Sequence, residues 1–348
     1  MTQSPERDAA GLAPDSGVAR DAGPTRDAGL TEAELLGYFG RLSNWGRWGA
    51  DDSKGTVNHI TEAGRVRAAA LIRSGVTVSC AWPIDPGPSA ADEPGSIPPQ
   101  RFMLRTGQGL ADAGRVPRDG IALDDRQNGA AEYLGYAPHG YRITHLDGLS
   151  HIFWDRMMYN GLPAERVSAH KGAVAHDIGT VRDGIVTRGV LVDAARHRGV
   201  PWLMPGDGVT GTELRAILSS AGITVRPGDA LLLRTGYGRK KREQGDDAPG
   251  RGHAGWHASC LPSLHEWGVS MLGADTAQDV VPSGYPAVRV PVHAVGITAM
   301  GMPLLDNADL EELARQCEQH QRWEFFFTLA PLAFTGSTGS AVNPLAIF

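Results

Sequence analysis

With 348 residues, 41% of them hydrophobic, the chain has the length for one large core or two smaller ones. Its net charge of −6 comes from interleaved acidic and basic residues, so it offers no basic stripe for nucleic acid or an anionic membrane. No apolar run approaches the roughly 20 residues that span a bilayer, and the N-terminus does not read as a signal peptide.

Cys80, Cys260 and Cys317 are odd in number, far apart and free of C-x-x-C spacing, so neither a disulfide framework nor a thiolate zinc site is expected. A reduced, cytoplasmic protein is the expectation. The 45 Gly and 23 Pro are not periodic and predict long, shaped loops.

Residues 1–30 are built from Ala, Asp, Gly, Pro and Arg, with the echo Arg20-Asp21-Ala22-Gly23 and Arg26-Asp27-Ala28-Gly29. Too few apolar groups stand there to offset ordering entropy, so a disordered arm is expected ahead of one domain over 31–348. Thr31 with Glu34 forms a capping box that opens a helix to about Phe39. Thr61 caps a second helix, with Val66, Ala69, Ala70 and Ile72 on one face and Gly75 as its stop. Val76 to Trp82 reads as a strand, residues 83–100 as a Pro-rich loop, and 107–130 as a polar, Gly-rich loop. Short apolar runs follow at Val190–Val192, Ala230–Leu233, Val269–Leu272 and Phe325–Leu332. Helical segments near 211–221, 257–267 and 307–320 separate them. Mixed strands and helices with long loops predict an α/β or α+β domain.

Gly206-Asp207-Gly208-Val209-Thr210-Gly211 matches a dinucleotide-binding glycine pattern, but the run before it is short and ends in Pro205. Thr210 and Glu213 explain it instead as a turn into a capped helix. No G-x-S-x-G elbow is present. Gly336-Ser337-Thr338-Gly339-Ser340 has the composition of a phosphate cradle without its Lys, and a structural turn accounts for it. His59, His170, His197 and His320 lie in polar or helix-end settings that suit solvated surface. His253 and His257 stand in a Gly-rich loop and at a helix start, where a pocket is possible. His293 follows the turn Val290-Pro291 and opens a largely apolar segment to Met300.

The densest chemistry is Thr144-His145-Leu146-Asp147-Gly148-Leu149-Ser150-His151, which holds two imidazoles and a carboxylate within seven residues. In an extended segment His145 and Asp147 point to the same face, because strand side chains repeat every two residues. A nitrogen and an oxygen donor then converge on one ion, with His151 just beyond the strand as a nearby proton carrier.

Thr-His-x-Asp-x-x-x-His resembles the hallmark of the cyclase family, which includes bacterial kynurenine formamidase and isatin hydrolase. The likeness runs over nearly the whole chain after the arm. Asn44-Trp45-Gly46-Arg47-Trp48-Gly49-Ala50-Asp51-Asp52 with Gly55-Thr56-Val57-Asn58 is similar to the family's opening, and Leu231-Leu232-Leu233-Arg234-Thr235-Gly236 to its central strand. Ala274-Asp275-Thr276-Ala277-Gln278-Asp279-Val280 is similar to its later acidic turn. Ala330-Pro331-Leu332 with Thr338-Gly339-Ser340 matches its C-terminal signature. The resemblance implies an α/β, swivelling β/β/α single domain with long loops, a divalent metal ion (Zn or Mn), and a homodimer or homotetramer. It implies His145, Asp147 and His293 as metal ligands and His151 as the proton acceptor. Asp306 stands where formamidases carry a ligating Glu, one methylene longer. Tyr141 replaces a ligand His four residues before His145. His139, two residues further back, compensates only if the backbone bends; otherwise a single or weakly held ion is expected.

The function so implied is hydrolysis of an amide, cyclic amide or lactone by metal-activated water, in the manner of an arylformamidase. A cyclase or dehydratase of secondary metabolism and a metal-poor small-molecule-binding relative are the alternatives. Trp45, Trp48, Tyr141 and His257 are the candidate substrate-binding residues, with the loops at 83–100 and 236–256.

Overall fold

The computed structural model of the chain describes residues 29–92, 96–108, 129–247 and 250–348. The arm expected over 1–30 falls outside the described residues except for Gly29 and Leu30, as does 109–128 of the loop expected at 107–130.

One nine-stranded mixed sheet organises this single α/β domain. Its strands in chain order are β1 (Thr77–Ser79), β2 (His145–Asp147), β3 (Ile185–Asp193), β4 (Ala230–Arg234), β5 (Met271–Ala274), β6 (Leu304–Asp306), β7 (Glu324–Leu329), β8 (Gly339–Ala341) and β9 (Leu345–Ile347). Across the sheet the order is β1-β9-β7-β3-β4-β5-β6-β2-β8. The middle strands β3, β4, β5 and β6 run parallel, while the flanking pairs, β6 with β2 and β2 with β8 among them, are antiparallel.

The parallel strands are covered on both faces, which is why Ala230–Leu233 is a continuous apolar run. Leu231 and Leu233 enter one core with Val190, Val192, Leu272, Ala274 and Leu304. Ala230 and Leu232 enter a second with Leu191, Met271, Leu305 and Leu146. This alternation fixes the site. Leu146 of β2 and Leu305 of β6 point into the second core, so His145, Asp147 and Asp306 must point to the other face. The register Asp306↔His145 and Leu304↔Asp147 sets Asp306 directly across from His145.

The predicted caps form. Thr31 and Glu34 make the reciprocal capping box of Glu32–Leu36, and Thr61 and Thr210 cap Glu62–Ala69 and Gly211–Ser220. The first helix stops at Leu36, and a short turn of helix, Tyr38–Arg41, follows Gly37. The second ends at Ala69, before the turn at Gly75, and the strand expected over 76–82 is three residues, Thr77–Ser79. The glycine pattern at 206–211 is the entry to a capped helix and not a nucleotide loop.

A two-stranded ribbon, Gln100–Arg105 with Ala131–Gly135, flanks the loop expected at 107–130 and was not among the strands read from the sequence. All six residues of its first strand are exposed, so it has no buried face to imprint an alternating pattern. No helix among the described residues is long and apolar enough to cross a membrane.

Candidate metal centre and its cleft

β2 ends in the turn Gly148–Ser150, and the segment after β5 returns to the same face through Pro291–His293 and a fully buried π-helix, Ala294–Met300. Four side chains meet there. His145 Nδ1 donates to the Ile143 carbonyl at 2.8 Å, which leaves Nε2 facing Asp147 Oδ1 at 3.4 Å and Asp306 Oδ2 at 3.9 Å. His293 Nδ1 donates to Asp279 Oδ2 at 2.6 Å, leaving Nε2 3.5 Å from Asp147 Oδ2 and 3.4 Å from Asp306 Oδ2. Fixing Nδ1–H on an oxygen sets the tautomer, so Nε2 is the nitrogen available to a ligand.

Asp279 does more than accept from the ring. Its carboxylate also takes the Val292 and His293 backbone N–H groups at 2.6 and 3.1 Å, so it clamps both the ring and the start of the helix that carries it.

His139 joins the cluster because Gly140 bends the chain. At φ +112° Gly140 adopts a backbone that side-chain-bearing residues disfavour. The bend turns His139 inward, with Nδ1 2.8 Å from Asp147 Oδ1 and Nε2 2.9 Å from Thr338 Oγ1. His151 stacks flat on His139, ring centroids 3.7 Å apart, with Nε2 3.8 Å from Asp147 Oδ2. The His151 ring has no hydrogen bond among the described residues and is about one-quarter exposed, at 25%.

Electrostatics follow from burial and crowding. Burial pulls the His145 and His293 pKa values down, but the surrounding carboxylates outweigh it, raising His145 to about 9 and His293 well above its usual range. Burial works to raise the Asp147 pKa, yet His151 and the hydrogen bonds from His139, His145 and His293 hold it well below normal. His151 goes the other way: burial and the neighbouring imidazoles lower it to about 4 against the pull of Asp147.

The donor set suits a divalent ion. Asp147 Oδ2 and Asp306 Oδ1 are buried without a hydrogen-bond partner, a costly state for carboxylates unless a cation compensates it. Donors about 2.1 Å from one ion in a tetrahedral array stand roughly 3.4 Å apart, close to the observed spacings of 3.4 and 3.5 Å. His145, Asp147 and Asp306 form one group of converging ligand atoms, and His139, Asp147 and His151 a second that shares Asp147.

Beside this cluster opens a cleft walled by Tyr141, Tyr237, His253, Thr276 and Asn307. Tyr141, a candidate from the sequence, packs its ring edgewise on His253 at 5.7 Å. The other three substrate candidates lie elsewhere. Trp45 bonds the Thr298 carbonyl at 2.6 Å, and Trp48 sits edge-on to His59 beneath Arg47. His257 is buried, bonded to Ser259 and Tyr285. None of these three is among the cleft's lining residues. Asp279 and Asn307 were given no role from the sequence, although the acidic-turn motif contained the first; of the two histidines for which a pocket was possible, His253 lines the cleft and His257 does not.

Comparison with known proteins agrees with this architecture. The sequence profile of the "Putative cyclase" family matches residues 140–278, which span His145, Asp147, His151 and Asp275. A crystal structure described as a novel cyclase is 33% identical, covering 88% of this chain and 100% of its own, with a TM-score of 0.77. Isatin hydrolase A from Labrenzia aggregata, bound to benzyl benzoate, shares the fold at 15% identity and a TM-score of 0.55, covering 80% of this chain and 94% of its own. Isatin hydrolase A from Ralstonia solanacearum does so at 17% identity and a TM-score of 0.51, over 82% and 94% of the two chains. No curated protein matches the sequence. With a relative one-third identical that covers 88% of this chain and is itself matched over its whole length, the chain belongs to the cyclase family.

Proposed function

We propose that the protein is a metal-dependent hydrolase that opens an amide, cyclic amide or lactone with water. The observation that carries this reading is the convergence of the His145 and His293 Nε2 atoms on Asp147 and Asp306, each ring locked from behind through Nδ1. His145, Asp147, His293 and Asp306 would hold a Zn²⁺ or Mn²⁺ ion, both of which suit mixed imidazole and carboxylate donors. His139 would supply the imidazole that Tyr141 cannot, because a neutral phenol is a weak donor. Such an ion would polarise the carbonyl and lower the pKa of water towards about 7.

The chain's own residues carry the proton. His151 is the basic group left without a hydrogen bond, beside Asp147 and open to solvent. It accepts the proton of the attacking water and returns it to the departing nitrogen or oxygen, a role worth typically 10²–10⁴-fold. Stacking on His139 holds its ring in place while the proton moves. Asp279 keeps His293 from rotating. The isatin hydrolase fold relatives support the substrate range but do not narrow it.

A screen of formyl-anilides, isatins, imides and lactones, read by product mass, tests the proposal. Gain of one water supports hydrolysis. Loss of water from an open-chain substrate points instead to a cyclodehydratase, and no turnover of any class by metal-replete protein refutes the enzyme reading.

A further inference from the structure

The turn Gly336-Ser337-Thr338-Gly339-Ser340, which has the composition of a phosphate cradle, holds an imidazole instead. Its backbone is tied down along its length. The Gly336 N–H donates to Asp177 Oδ2 at 2.9 Å, and the Gly336 and Ser337 carbonyls take the Ala173 and Ile178 N–H groups at 2.9 and 2.8 Å. The Thr338 carbonyl takes the Gly148 N–H at 2.8 Å, and Ser337 Oγ closes the turn on the Gly339 carbonyl at 2.6 Å. A turn fixed in this way presents the Thr338 side chain at a defined point. Its Oγ1 lies 2.9 Å from His139 Nε2.

Gly339 supplies the space. The register of β8 on β2 sets Gly339 opposite Asp147, and residues directly opposite in an antiparallel pair share a face. Any side chain at 339 would therefore stand on the face that carries the candidate metal centre. A Cβ there would fall 2.6 Å from His139 Cε1, well inside the roughly 3.5–4.0 Å of packed carbon atoms. The His139 ring thus occupies the volume that a side chain at 339 would take. His145 has its direction set by strand alternation, whereas His139 sits in a bend outside the sheet. Gly140 turns the chain inward, and the turn at 336–340 then fixes the ring.

We infer that Thr338 and Gly339 form a seat for His139, and that Thr338 is a positioning residue of the candidate metal centre. The inference rests on the hydrolase reading for the use of the seat and not for its existence. A hydroxyl both donates and accepts, so Thr338 holds Nε2 whichever ring nitrogen carries the proton. The ring is thereby kept on Asp147 Oδ1, 2.8 Å from Nδ1, and against His151, with 3.7 Å between centroids. Without the hydroxyl the ring can turn about its own axis and carry the stack with it.

The test labels chelator-treated, full-length protein with diethyl pyrocarbonate, which acylates an imidazole nitrogen that offers a free lone pair. Peptide mass spectrometry compares His139 with the exposed His170. Thr338→Val keeps the side-chain shape and removes the hydroxyl, while Thr338→Ser keeps the hydroxyl. Relative to His170, His139 should label about 3- to 10-fold faster in Thr338→Val, the equivalent of one hydrogen bond, and at close to the wild-type rate in Thr338→Ser. Zinc affinity, read by competition against a chromophoric chelator, should fall about tenfold in Thr338→Val and recover in Thr338→Ser. Unchanged His139 labelling in Thr338→Val overturns the seat. So does an acceleration shared by the buried His293, which would mean general loosening, or one that Thr338→Ser does not reverse. Zinc affinity that is unchanged in Thr338→Val, or absent from wild type, overturns the positioning role. Labelling needs neither ion nor substrate, so a protein that turned over no amide would refute the hydrolase reading and leave the seat standing.

Discussion

Replacing Asp279 with Asn isolates the support behind the candidate metal centre. The carboxylate receives three donors, Val292 N–H, His293 N–H and His293 Nδ1–H, at 2.6, 3.1 and 2.6 Å, in a fully buried position. An Asn amide offers one acceptor oxygen and turns an NH₂ group towards N–H donors, so at least one donor is stranded. Each stranded buried donor costs about 1–3 kcal/mol, and the loss of a charge-assisted bond to the ring adds to this, so a total of about 2–5 kcal/mol is expected. For a domain of this size that lowers the melting temperature by roughly 3–7 °C. The second consequence is specific to the site: with the His293 ring free to turn, metal affinity should fall about 10–100-fold, as for other residues that orient a ligand histidine. Melting of chelator-treated protein reads the first effect, and competition against a chromophoric chelator reads the second. If Asp279→Asn melts like wild type and holds zinc within twofold of it, the carboxylate does not secure His293 and the reasoning fails.

Other substitutions divide the roles. His151→Ala should retain its metal while the chemical step slows by about 10²–10⁴-fold; a metal-free variant would make His151 a ligand. Gly140→Ala adds a Cβ with nothing within 4 Å to obstruct it, so its cost is backbone strain at φ +112°, about 1–2 kcal/mol. It should also pull His139 off Asp147, visible as weaker metal binding, and unchanged affinity would show that the bend is incidental. Tyr141→His should leave metal stoichiometry unaltered, because His139 already reaches Asp147; an extra equivalent of tightly held metal would mean that the ring returns to the cluster.

The sequence carried the parts of this site that depend on local periodicity. His145 and Asp147 share a face because a strand alternates every two residues, and the same rule turns Leu146 into the core. The caps at Thr31, Thr61 and Thr210 were legible because a side chain three residues from its partner is a local event. Long-range placement was not. Whether His139 reaches the cluster depends on one glycine torsion, which residue identity permits but does not dictate. His253 and His257 occupy the same Gly-rich stretch, and only pairing with Val281 puts His253 on the cleft wall while His257 caps a helix. Trp45 and Trp48 were plausible aromatic walls by type, but their rings are spent on Thr298 and His59.

Metal content in wild type and Asp147→Ala tests the central claim most directly. Asp147 belongs to both groups of converging donors, so its removal damages every arrangement of the ion that the cluster allows. Wild type grown with added zinc and manganese, then desalted, should carry at least one equivalent of divalent metal per chain by elemental analysis. Asp147→Ala, provided it remains folded by circular dichroism, should carry less than about a tenth of that. A wild type that stays metal-free, or a folded Asp147→Ala protein with undiminished metal, would contradict the account.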